Sequence, residues 1–154
     1  MRQISRKRIL PVVTSVICFI SIIVALTVPF LYTSLTKSNI LGFCLIFGGK
    51  YIIGGEKANI SFNVALFIAL LLIFSAGIFS FFCRKIHRAN SLITILLLIP
   101  AIILFFASEK FCVGVIYDNP GFKDTCYLSC GPYIVNSLNG LALLICIIDM
   151  IKKR

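Results

Sequence analysis

The sequence is poor in the residues on which soluble proteins and most enzymes depend. It has no tryptophan, one histidine (His87) and five acidic residues, and charged side chains make up only 13% of its 154 residues. An ordinary globular domain carries about a quarter of its residues as charges, so this composition excludes one. A lone histidine and scattered carboxylates leave no paired acids within an apolar segment, no histidine-centred triad and too few ligands for a zinc site. No glycine-rich phosphate loop occurs. Neither an enzyme nor a bound cofactor or metal is expected.

Apolar side chains are abundant instead, at 60% of the chain with a mean hydropathy of +1.07. They gather in four stretches: Ile9 to Leu31, Val64 to Cys83, Ser91 to Ala107 and Tyr133 to Ile151. Crossing ~30 Å of hydrocarbon takes about 17 to 25 helical residues, a length all four reach, the third only just. Asp149 is the single charge within them. The expectation is an all-α membrane protein: one domain of four transmembrane helices in an antiparallel bundle, with outer loops at about 32–63 and 108–132.

The net charge of +10 would suggest nucleic acid were it spread over a soluble surface, but the basic residues are sorted by side. Arg2, Arg6, Lys7, Arg8, Arg84, Lys85, Arg88, Lys152, Lys153 and Arg154 flank the spans on one side, against Asp149 alone, which gives 10 − 1 = +9. The other side holds Lys37, Lys50, Lys57, Lys110 and Lys123 against Glu56, Glu109, Asp118 and Asp124, or 5 − 4 = +1. Positive charge stays inside, so both termini are expected in the cytoplasm and the chain in the plasma membrane, with the lipid bilayer as its first partner and no nucleic acid. Arg6-Lys7-Arg8 before an apolar run also fits the start of a signal peptide, but the run is too long and no A-x-A site follows, so a retained span is expected.

Small residues let membrane helices approach closely, and Ala65, Ala69, Ala76 and Ser80 share one face of the second span. They predict a seam against a neighbouring helix of the same chain, or secondarily against a second copy. The last span carries Asn136, Ser137, Asn139 and Gly140 in its outer half, and amides facing lipid are costly. They predict interhelical hydrogen bonding, with ligand or ion contact as the functional alternative. Pro100 predicts a bend in the third span, and Asp149 an ion pair with Lys152 or Lys153.

In the first outer loop, Asn39 to Phe47 and Tyr51 to Ile53 flank a glycine pair, which reads as a β-hairpin. A short run in the second loop, Phe111 to Tyr117, ends at the turn sequence Asp118-Asn119-Pro120-Gly121. A lone hairpin is marginal, so a three-stranded outer cap is expected, with a re-entrant segment at Ile40 to Phe47 as the alternative. Cys44, Cys112, Cys126 and Cys130 also lie on this side, where disulfides are permitted. Three pairings are open; the preferred one joins Cys112 to Cys126 or Cys130 and leaves Cys44 to staple the two loops. Cys83, beside Arg84, is a weak acylation candidate.

Four spans and outer cysteines, including Cys126 and Cys130, resemble in layout the quinone-linked disulfide oxidases of bacterial envelopes, but their first-loop CxxC pair is absent because Cys44 stands alone. A larger, cysteine-bearing first loop also resembles the layout of claudins and tetraspanins. The tryptophan-centred claudin motif and the tetraspanin CCG triplet are both missing, Cys130-Gly131 lacking a second cysteine before it. The sequence therefore predicts a non-enzymatic membrane protein acting through protein or lipid contacts, including self-association. A small-solute channel component and an envelope thiol–disulfide protein are the alternatives.

Overall fold

A computed structural model of the chain describes residues 9–53, 55–82, 87–114, 116–117 and 126–152. The basic flanks at both termini, Cys83 and the Asp118 to Gly121 turn lie outside the described residues. Among the described residues, six helices and six strands follow in the order α1 (Ile9–Thr27), β1 (Pro29–Thr33), β2 (Ser38–Leu41), α2 (Gly42–Phe47), β3 (Gly49–Ile53), β4 (Glu56–Ile60), α3 (Val64–Phe82), α4 (His87–Phe106), α5 (Ser108–Gly114), β5 (Ile116–Tyr117), β6 (Cys126–Leu128) and α6 (Gly131–Lys152). Four of them, α1, α3, α4 and α6, are long and apolar enough to cross a membrane.

Local chemistry sets their ends. The helix α1 stops at Thr27 rather than continuing to Leu31 as expected, because Pro29 disfavours a helical residue before it; Phe30 and Leu31 pass into β1 instead. At the start of α3, Asn63 is the cap, its Oδ1 accepting from the Leu66 N–H at 3.2 Å. Gly131-Pro132 opens α6, proline being tolerated in a first turn where its missing N–H has no partner to lose. The helix α4 begins at His87, earlier than the expected Ser91, and runs unbroken through Pro100.

The long helices form a four-membered ring in which α1 packs on α3 and α6, and α4 packs on the same two. Their outward faces carry large apolar side chains, among them Phe19, Ile23, Leu71, Phe74, Leu96, Ile103, Leu144 and Ile148. Their inward faces mix smaller or polar residues, Ser15, Cys18, Ser21 and Ala25 on α1, Ala69 and Ala76 on α3, and Asn139, Ala142 and Cys146 on α6, with larger apolar ones such as Leu66, Ile73, Leu98 and Phe105. A bundle in water shows the opposite distribution; this one suits a solvent of lipid chains.

Beyond the helix ends opposite Ile9 and Lys152, the described residues build two antiparallel three-stranded sheets, ordered β2-β1-β6 and β3-β4-β5, where one three-stranded cap was expected. The difference lies in Gly42 to Phe47, an apolar run expected to be strand but folded as α2. Gly48-Gly49 therefore ends a helix instead of turning a hairpin; the β3–β4 hairpin pairs Ile53 with Glu56, and Gly55 before Glu56 has φ +92°. An earlier hairpin, unseen in the sequence, joins β1 to β2 through a turn in which Lys37 takes φ 49°. The run Phe111 to Tyr117 divides into helix α5 and the two-residue β5. A register shift between Pro29 and Leu31 turns Phe30 into the bundle, where its ring meets Phe105 edge-on at 5.9 Å.

Candidate functional site

Two places concentrate polar or exposed aromatic groups: the seam between α1 and α6, and the outer cap. In the seam, the Ser21 hydroxyl donates to Asn139 Oδ1 at 2.9 Å, and two turns deeper Cys146 Sγ lies 3.8 Å from Thr14 Oγ1. The step is seven residues on each helix, so the contacts fix an antiparallel register. Asn139 is fully buried and its Nδ2 has no hydrogen-bond partner; the same holds for Oδ1 of buried Asn136, one turn outward on the same helix. Gly140 faces open space, with nothing within 4 Å of where a methyl would stand. At the inner end, Ser91 donates to the buried Asp149 carboxylate at 3.0 Å. The Lys152 and Lys153 side chains, expected to pair with it, lie outside the described side chains.

On α3, Ala69 and Ala76 are fully buried, Ala65 is half-buried, and the Ser80 hydroxyl donates to the Pro11 carbonyl of α1 at 2.8 Å. These helices also come close at Gly77, where a methyl would stand 3.2 Å from Cys18 Cβ. Gly77 is not among the small residues picked out in the sequence, although it lies three residues before Ser80 and eight after Ala69, beside the same face.

The cap is a joint product of both outer loops. Each sheet takes a hairpin from the first loop and one strand from the second, β6 beside β1 and β5 beside β4. Asn63 adds a tie: besides capping α3, its backbone N–H donates to Ile46 O of α2 at 3.0 Å and its Nδ2 to Phe111 O of α5 at 3.2 Å. An asparagine directly before an apolar run is a readable helix-start signal, but its bond to α5 is tertiary and has no local sign. Alternation along the strands turns Ile53, Ala58 and Ile60 inward. Lys50, Ile52 and Lys57 face outward on the β3-β4-β5 sheet, and the cross-strand pair Tyr32 and Tyr127 faces outward on the other.

The expected disulfides are not formed. Cys44 on α2, Cys112 on α5, Cys126 on β6 and Cys130 before α6 are each outside any disulfide. Folding α2 as a helix and α5 as a second helix places Cys44 and Cys112 on separate packed elements, with Cys112 fully buried. Burial pushes the Cys112 thiol up to about 12. Burial also raises Cys126, in part opposed by a hydrogen bond from Thr33 across the β1–β6 ladder. Both are poor nucleophiles near neutral pH. Among the described residues no three of His, Cys, Asp and Glu converge as a metal site would require. The chain matches no known protein-family model, no curated protein and no solved structure.

Proposed function

We propose that this chain is an integral protein of the plasma membrane, crossing it four times with both termini in the cytoplasm, and that it acts by contact rather than catalysis. Sorting of its charge, +9 on one side and +1 on the other, supports the orientation. The observation that carries the contact reading is the construction of the cap. Both outer loops are woven into two sheets, and the outward face of one presents Tyr32 and Tyr127 side by side. Exposed paired tyrosines offer large, rigid contact area at low entropic cost. The partner class is a membrane or extracellular protein, a second copy included.

A photo-crosslinking residue at Tyr127, used in intact cells, tests this. A discrete adduct that disappears on Tyr32→Ala while membrane insertion is unchanged supports the reading. Labelling indistinguishable from that at a control site on the helix faces, such as Ile23, refutes it. A reporter at the C-terminus must also fall on the same side as one between the second and third spans.

The unpartnered Asn136 and Asn139 atoms favour a second reading, a component of a small-solute channel. Asn136→Leu with Asn139→Leu separates the two: loss of a flux with normal expression supports transport, and loss of folded protein supports packing.

A further inference from the structure

We propose that α2 and the phenyl rings around it form a contact site for the acyl chains of outer-leaflet phospholipid, seated at the level of the helix ends and not in the aqueous cap. This rests on the four-span reading above. The depth follows from how α2 is pinned. Its first N–H, of Gly42, donates to Val28 O at the end of α1, and its Ile46 carbonyl accepts from Asn63 N–H at the start of α3. The helix therefore lies across the outer ends of two spans. Gly42 lets it settle against the last turn of α1, since a methyl there would overlap the Ala25 carbonyl oxygen.

The segment suits lipid in composition and in how its ends are tied. Gly42 to Phe47 holds no charge and no polar side chain other than the Cys44 thiol, and the chain has none charged from Ile60 to Phe82. Backbone groups at both ends of α2 are bonded: besides the two ties just given, Gly48 N–H returns to Cys44 O at 3.0 Å. The Tyr51 hydroxyl closes the site on the cap side by donating to Gly48 O at 2.8 Å. Tyrosine suits the boundary between hydrocarbon and water.

One face of α2, with Leu45 and Ile46, is buried, while Phe43 and Phe47 on the other are 49% and 41% exposed. The exposed rings continue a strip: Phe43 meets Phe47 at 5.0 Å between centroids, Phe47 meets Phe67 at 6.0 Å, and Phe67 meets Phe62 at 5.2 Å. Phe67 belongs to α3, whose neighbouring exposed residues Val64, Ile68 and Leu71 carry the strip down the span. A surface continuous with the lipid-facing side of a membrane helix, and without a hydrogen-bonding group to specify a protein, fits acyl chains. In water the same rings would form an exposed patch of the kind soluble surfaces avoid.

The chain has no tryptophan, so a single introduced indole reports alone. Full-length Phe47→Trp is reconstituted in phosphatidylcholine vesicles and its fluorescence read with lipids brominated near the carboxyl end or the methyl end of the acyl chain, and with aqueous iodide. Phe43→Trp repeats the reading should the first variant misfold. The expected result is blue-shifted emission, stronger loss of intensity with the shallow bromine than with the deep one, and little loss with iodide. Quenching by iodide and not by bromine, the behaviour expected of Ile52→Trp on the cap, overturns the proposal. Protection from both quenchers also overturns it, because it means that a second protein surface covers the rings. Leu71→Trp on α3 should respond to deep bromine; if it does not, the span reading fails and the proposal falls with it, whereas failure at Phe47 and Phe43 alone removes only the proposal.

Discussion

Replacing Asn63 should loosen the joint between the bundle and the cap by an amount that can be divided between two bonds. Its Oδ1 caps α3 by accepting from Leu66 N–H, and its Nδ2 donates to Phe111 O. Losing an asparagine cap to alanine costs about 1 kcal/mol, within a range of roughly 0.5 to 2. Losing the donor to a partly buried carbonyl adds about 1 kcal/mol, and more where water cannot replace it. Asn63→Ala should therefore cost about 2 kcal/mol or somewhat more in total. Asn63→Ser keeps a capping oxygen but is too short to reach α5, so it should recover about 1 kcal/mol of that loss. The tie at the backbone, from Asn63 N–H to Ile46 O, survives both changes. Cys112 is a built-in reporter, because it follows Phe111 in α5 and is fully buried. Its alkylation requires α5 to lift, so at equilibrium opening the labelling rate should rise about thirtyfold in Asn63→Ala, the factor that corresponds to 2 kcal/mol. The serine variant should fall between alanine and the native chain. Equal labelling of the native and alanine proteins would refute the tie, and equal labelling of the serine and alanine variants would refute the division.

Three further outcomes are expected. A double-mutant cycle on Ser21→Ala and Asn139→Leu, read by unfolding in mixed micelles, should give a coupling of about 0.6 to 1.7 kcal/mol for the α1–α6 hydrogen bond; additive effects would mean that the register is wrong. Gly42→Ala should destabilise by about 1 to 3 kcal/mol or more, because the methyl meets a backbone oxygen that cannot swing aside, whereas Gly140→Ala should be neutral or gain up to about 1 kcal/mol of helix propensity. Reductant should leave electrophoretic mobility and thermal stability unchanged, since Cys44, Cys112, Cys126 and Cys130 form no disulfide. Because burial raises Cys112 from 9.0 to about 12, its contribution to stability is intact below pH 9 and lost progressively above it as the unfolded thiol ionises first; a melting curve that stays flat between pH 8 and 11 would contradict this.

The four long helices could be read from hydrophobic length because lipid imposes a demand on every residue of a span, so the signal accumulates over a whole segment. Their ends were less legible. The first span was carried to Leu31 through Pro29 because composition alone continues there, while the break comes from one backbone restriction. The cap was misread for a related reason: Gly42 to Phe47 is short, apolar and uncharged, and such a run fits a buried strand or a helical turn equally well. Tertiary contact decided it, through the space that Gly42 opens beside Ala25. The cysteines misled for a different reason. The side of the membrane expected for them permits disulfides, but spacing carries no information on which helix or strand holds each sulfur apart.

The bundle and the cap make each other possible. Bundle helices in lipid gain little from burying apolar area and depend on close approach, which serine, alanine and glycine on their inner faces permit, so holding the helix ends in place stabilises the bundle. Two short hairpins cannot do that alone, being marginal in water. They gain from the second loop, whose strands β5 and β6 complete the sheets, and from Phe30, which the bulge in β1 turns down onto Phe105 of α4. Gly131 makes room for this plug at the start of α6, since a methyl there would collide with the Phe30 ring and the Pro29 carbonyl. One phenyl ring thus touches α4, borders α6 and belongs to the strand at the centre of its sheet. Tyr32 and Phe30 belong to the same strand, so a partner bound at the tyrosine pair, as proposed, would sit two residues from the ring that packs on α4 and borders α6.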